Sequence, residues 1–68
     1  MEPPWVKHPD IPAGAIGWRM GAGEHYYNQF YRWFSALPAE EQDAYVRSNE
    51  PPPGWRNLYA TIKAHPWT

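Results

Sequence analysis

Cysteine is absent from the 68 residues. No disulfide framework, thiolate zinc site or thiol nucleophile is therefore available. Aliphatic side chains are scarce, with only seven Val, Ile or Leu residues. No apolar run approaches the roughly 20 residues that a membrane-spanning helix needs, so no membrane partner is expected. The opening stretch Met1-Glu2-Pro3-Pro4-Trp5 lacks the basic and apolar regions of a secretory signal, and a cytoplasmic location is the expectation. Excess charge is lacking too: six basic residues face seven acidic ones, a formal net charge of −1. Such a balance creates no broad field to draw nucleic acid or an anionic lipid surface.

What the chain does have is twelve aromatic residues, nine prolines and five glycines. A chain this short supports one small domain and has little apolar surface to bury. Each buried aromatic removes ~150–250 Å² from water, or about 4–6 kcal/mol at ~25 cal/mol per Å². The aromatics are therefore needed first for folding, and any binding role must come from those left over.

The distribution of these residues predicts an all-α fold: a small three-helix domain, spanning 1–68, with an extended Pro/Gly-rich arm over residues 1–23. Pro3, Pro4, Pro9 and Pro12 oppose regular helix in the arm. Ile16, Trp18 and Met20 alternate with Gly17 and Arg19, a period-2 pattern. No second strand pattern exists to pair with it, so the three are expected to pack over the helices. The first helix is expected over 24–37. With Phe30 at the centre of a helical wheel, Tyr26, Tyr27, Trp33, Phe34 and Leu37 fall within about 60° of it. Tyr31 sits at the edge. Gly23 is a candidate cap, and Glu24 suits the positive end of the helix dipole.

A second helix is expected over 38–49, with Pro38 at its first position and Glu40 and Glu41 in its first turn. Its apolar face is thin, Leu37, Ala44 and Tyr45, which predicts a peripheral position. Asp43 and Arg47 are spaced as an i,i+4 pair. Pro51-Pro52-Pro53-Gly54 interrupts with an extended, polyproline-like path. A third helix is expected over 55–64, where Trp55, Leu58, Tyr59 and Ile62 follow i, i+3, i+4, i+7. The expected core is Trp18, Phe30, Trp33, Phe34, Leu37, Tyr45, Trp55, Leu58, Tyr59 and Ile62.

Chemistry-bearing groups are sparse. His8-Pro9-Asp10 comes nearest to a ligand pair but has no third ligand close in sequence, and no metal or other cofactor is expected. Ser35 and Ser48 have no base at a motif spacing. Gly17, Gly21 and Gly23 match no nucleotide-binding fingerprint. No enzyme is expected from these patterns.

Pro53-Gly54-Trp55 resembles the opening of a WW domain. It also resembles the Pro-x-Gly-Trp element of the small accessory proteins of nonribosomal peptide synthetases. The strand-forming segments and further Trp motifs of those families have no counterpart here, so the likeness implies membership of neither.

Binding to a larger protein is the leading expectation, as an accessory subunit, regulator or inhibitor. Trp5, Tyr26, Tyr31 and Trp67 lie at chain ends or helix edges, and Trp, Tyr and Arg are residue types that anchor interfaces. Glu40, Glu41, Asp43 and Arg47 on the second helix are the polar candidates. A second copy of the chain, forming a homodimer, is a variant of this expectation. The alternative is single-stranded nucleic acid, stacked on aromatics beside Arg19, Arg32 and Arg56. The near-neutral net charge disfavours it.

Overall fold

A computed structural model describes residues 1–67. It is all-α. Helices α1 (Pro4–Lys7), α2 (Gly17–Met20), α3 (Ala22–Ala36), α4 (Ala39–Ser48) and α5 (Leu58–Ala64) follow in chain order, with a 3-10 turn at Pro53–Trp55 before α5. The chain forms two compact units, Met1–Phe30 and Tyr31–Thr68, and the boundary falls within α3.

In the first unit the expected extended arm is corrected, because it carries two single-turn helices, and the described residues hold five helices where three were expected. Proline permits this. Pro4 sits at the start of α1, where its missing N–H would have had no partner anyway. The buried ring of Trp18 organises the unit. Its indole Nε1–H donates to the Pro12 carbonyl at 3.0 Å. The His8 ring meets it edge-on at 5.9 Å and meets Tyr26 edge-on at 5.8 Å. Tyr27 lies 6.2 Å from Trp18. The Tyr26 hydroxyl donates to the Glu2 carbonyl, and Lys7 Nζ lies 5.8 Å from the Tyr26 ring centre. Pro3, Pro4 and Phe30 are buried as well.

The expectation that Ile16, Trp18 and Met20 pack together is overturned. Trp18 is 6% exposed, but Ile16 is 69% and Met20 77% exposed. A strand would have put all three on one face. A helical turn places i and i+2 about 200° apart and i and i+4 together. Burying Trp18 therefore turns Ile16 and Met20 outward as a pair. Gly23 is also reassigned. It lies inside the first turn of α3 rather than capping it, and it is buried against Trp18.

In the second unit α3 stops at Ala36 because Pro38 disfavours helical backbone at Leu37. Pro38 itself is extended (φ −60°, ψ 154°) and precedes α4 rather than opening it. The Phe34 carbonyl, near the end of α3, accepts from Leu37 N–H at 3.1 Å and from Gln42 Nε2 at 2.9 Å. Asn49 closes α4, donating from its backbone N–H and from Nδ2 to the Tyr45 carbonyl. α5 begins at Leu58, three residues later than expected, because Trp55 belongs to the 3-10 turn.

Phe34, Leu58, Tyr59 and Ile62 form the buried centre of this unit. Phe34 and Tyr59 rings lie 5.2 Å apart, with Tyr45 about equidistant from both at 6.0 and 6.1 Å. Trp33, Leu37, Tyr45 and Trp55, expected in the core, are only half-buried. Trp33, Leu37 and Tyr45 line an open groove on α4, which itself buries no residue.

Burial pushes the Tyr59 hydroxyl up to about 12 from its ordinary 10.0. That hydroxyl donates to the Asn49 carbonyl at 2.7 Å. The raised value means that stability is intact below pH 10, where both states keep the proton. It falls as pH climbs from 10 toward 12, where only the unfolded tyrosine ionises. Tyr59→Phe should lose about 1 kcal/mol at neutral pH, one hydrogen bond's worth, and show a smaller alkaline decline. Urea unfolding at pH 7, 9.5 and 11 checks both; an unchanged alkaline slope would remove Tyr59 as its source.

Candidate functional site

The residues expected to bind a partner fall into different settings. Trp5 is half-buried in α1. Tyr26 and Tyr31 are half-buried, and their hydroxyls serve as internal clamps, to the Glu2 and His65 carbonyls respectively. Burial raises the Tyr26 pKa, and the nearby Glu2 charge adds to the rise. Trp67 is 41% exposed. The Arg32 guanidinium lies over its ring at 4.9 Å, and Tyr31 stands 6.1 Å away. Trp67 N–H donates to Ser35 Oγ at 3.1 Å. The ring stacked with Arg32 is thus Trp67, distant in sequence, rather than the flanking Tyr31 or Trp33 alone.

Glu40, Glu41, Asp43 and Arg47 are all exposed on α4. Asp43 does not take Arg47 as its ion-pair partner. Its Oδ1 accepts from Lys63 Nζ of α5 at 2.9 Å. The hydrogen bond and charge of Lys63 hold the Asp43 carboxyl below its ordinary range, with a smaller contribution from Arg47. Arg56 is exposed in the turn before α5, and Arg19 is exposed on α2 of the first unit.

A groove on the second unit was not foreseen as a site. It is shallow and open to solvent, about 310 Å³, and is lined by Trp33, Leu37, Glu41, Ala44, Tyr45, Ser48 and Asn49. Positions 41, 44, 45 and 48 share one face of α4, at i, i+3, i+4 and i+7. That face was read as thin and apolar. Its small residue, Ala44, lines the groove together with Trp33 and Leu37. Trp33 and Tyr45 rings lie 5.2 Å apart at 70°, and Glu41 is the one charged group in the lining.

Among the described residues no three His, Asp or Glu side chains converge as a metal site would require. No helix among them is long and apolar enough to cross a membrane. His8 packs between Trp18 and Tyr26. No family model, curated protein or solved structure matches the chain.

Proposed function

We propose that this chain is a small protein-interaction module, an accessory subunit, regulator or inhibitor that acts by occupying the surface of a larger protein and carries out no catalysis. The observation that supports this reading best is the groove between α3 and α4. Large aromatic and aliphatic side chains line a shallow, open surface depression in a chain with little apolar material to spare. Interfaces draw their energy from such aromatic anchors set in pockets. The polar α4 surface and the exposed Trp67 extend the same reading.

Site-specific photo-cross-linking tests it. A photoreactive residue at Ser48, on the groove wall, should trap one protein in cells expressing the chain at its native level. The same probe at Thr61, exposed on α5 and outside the groove lining, should not. Adducts of equal yield at both positions, or none at Ser48, would overturn the proposal. An adduct with a second copy would make the module a homodimer. The stack of Arg32 on Trp67 favours one second reading, single-stranded nucleic acid. It requires Trp fluorescence quenching by an oligonucleotide, weakening steeply with salt.

A further inference from the structure

We infer that His65-Pro66-Trp67, the segment after α5, is a strap that opens and closes on α3 as one piece while the rest of the second unit stays folded. Its position decides whether the Trp67 ring and the Arg32 guanidinium are held on each other or are both available to a partner.

Three observations carry this. First, burial does not hold the segment down. His65, Pro66 and Trp67 are all exposed, and the last buried side chain before them is Ile62, in α5. Second, what holds it is polar and comes from one stretch of α3. The Tyr31 hydroxyl donates to the His65 carbonyl. Trp67 N–H donates to Ser35 Oγ at 3.1 Å. The Arg32 guanidinium lies 4.9 Å from the Trp67 ring centre. Both hydrogen bonds are exposed. An exposed hydrogen bond exchanges for water at small net cost, and an exposed cation–π pair is weak as well. A segment held in this way, with no buried apolar anchor, belongs to the least stable parts of a fold.

Third, the contacts are linked and so break together. Pro66 fixes its own φ and disfavours helical backbone at His65, which adopts φ −132° and ψ 71°. The chain between the His65 carbonyl and the Trp67 amide is therefore stiff. Tyr31 and Ser35 stand one turn apart on α3 and hold the two ends of this stiff piece. Ser35 Oγ donates to the Tyr31 carbonyl at 2.8 Å, which leaves its oxygen to accept from the Trp67 amide. The inner end is pinned separately, since His65 N–H donates to the Thr61 carbonyl at 2.9 Å and closes α5. Opening therefore turns about His65 and leaves α5 intact. Trp and Arg are residue types that anchor interfaces, so the strap sets how much anchoring surface the second unit presents.

Amide hydrogen exchange of the full chain tests this, read residue by residue by NMR at rising urea below the unfolding midpoint. The Trp67 amide should be protected roughly 5- to 150-fold over a free peptide, the combined net worth of two hydrogen bonds, and urea should not change its rate. The Ile62 amide should exchange far more slowly and accelerate with urea. Tyr31→Phe removes only the hydroxyl on His65, yet it should lower Trp67 amide protection about two- to tenfold. Arg32→Gln should lower it about two- to fivefold. Tyr59→Phe, which weakens the fold elsewhere, should speed Ile62 exchange and leave the Trp67 rate as it was. A Trp67 amide exchanging as fast as a free peptide would remove the closed strap. Exchange with the urea dependence of Ile62 would make the segment part of the global fold. An unchanged Trp67 rate in Tyr31→Phe and Arg32→Gln would mean that the contacts open one by one. Each of these results overturns the inference. None of them depends on the Ser48 cross-link, so the strap and the interaction module fail separately.

Discussion

Phe34→Ala should leave the chain largely unfolded at 25 °C in the absence of denaturant. Phe34 has no exposed surface. Its ring meets those of Tyr45 and Tyr59, from α4 and α5, at 6.0 and 5.2 Å. Truncating a buried Phe costs ~3–5 kcal/mol, transfer energy and cavity together. A domain of this size without disulfides has a total stability of about 3–5 kcal/mol, so the loss is comparable to the whole. The effect does not depend on the Phe34 backbone carbonyl, whose two hydrogen bonds from Leu37 and Gln42 are open to alanine as well. Phe34→Leu keeps most of the volume and should fold with a lowered midpoint. Far-UV circular dichroism with urea titration separates the three proteins. A midpoint for Phe34→Ala close to that of the parent chain would show that the ring is not the centre of the second unit.

Gly23→Ala should destabilise the first unit, against the rule that alanine stabilises helices. Helix propensity alone favours Ala over Gly by ~1 kcal/mol. At Gly23, however, an added Cβ would stand 2.7 Å from Trp18 Cε3 and 3.0 Å from the Gly17 carbonyl oxygen. Neither neighbour yields easily. The Trp18 ring is buried and tethered through Nε1 to the Pro12 carbonyl, and the second contact is backbone. Overpacking of this kind costs ~1–3 kcal/mol, which exceeds the propensity gain. Gly17→Ala provides the matched comparison. There the new Cβ would meet Ile11 Cγ2 at 3.4 Å, an ordinary van der Waals contact, so alanine should be neutral or mildly stabilising. Opposite signs in urea midpoints are expected, with the near-ultraviolet signal of the Trp residues altered only in Gly23→Ala. Should Gly23→Ala prove as stable as Gly17→Ala, close packing of Trp18 on α3 would be refuted.

These two sites differ in how legible they were. Phe34 was placed in the core by helical periodicity, together with Phe30, Leu58, Tyr59 and Ile62, and all five are buried. The middle of α3 and most of α5 were read for the same reason, since a repeat of 3.6 residues is visible over any two turns. Gly23 was seen but misassigned. A glycine beside a helix start suggests a cap, whereas its role here is to leave space for a ring whose path the local pattern does not reveal. No unusual dihedral requires it, because Gly14 (φ 76°) is the one glycine with positive φ among the described residues.

The short helices were missed because prolines were counted as helix breakers without regard to position. Pro4 opens a turn instead of interrupting one. Reading Ile16, Trp18 and Met20 by a period of two then set two exposed side chains beside a buried one. At the candidate site the sequence pointed to Glu41 and to the thin apolar face of Leu37, Ala44 and Tyr45, and Glu41 and Ala44 are exposed. It could not show that Trp33, Leu37 and Tyr45 stay half-open beside them.

Residues close in the chain thus carried their own message: aromatic periodicity and the placement of proline were enough to make the protein helical and to choose most of its buried rings. Tertiary structure decided the pairings across long separations. Asp43 meets Lys63, 20 residues away, and not Arg47. The Trp67 amide meets Ser35, 32 residues away, and Ala44 and Trp33 line one groove. The physical reason is range. Helical periodicity acts between neighbours three or four apart, while a groove, an ion pair between helices or room for a ring depends on where distant segments come to rest.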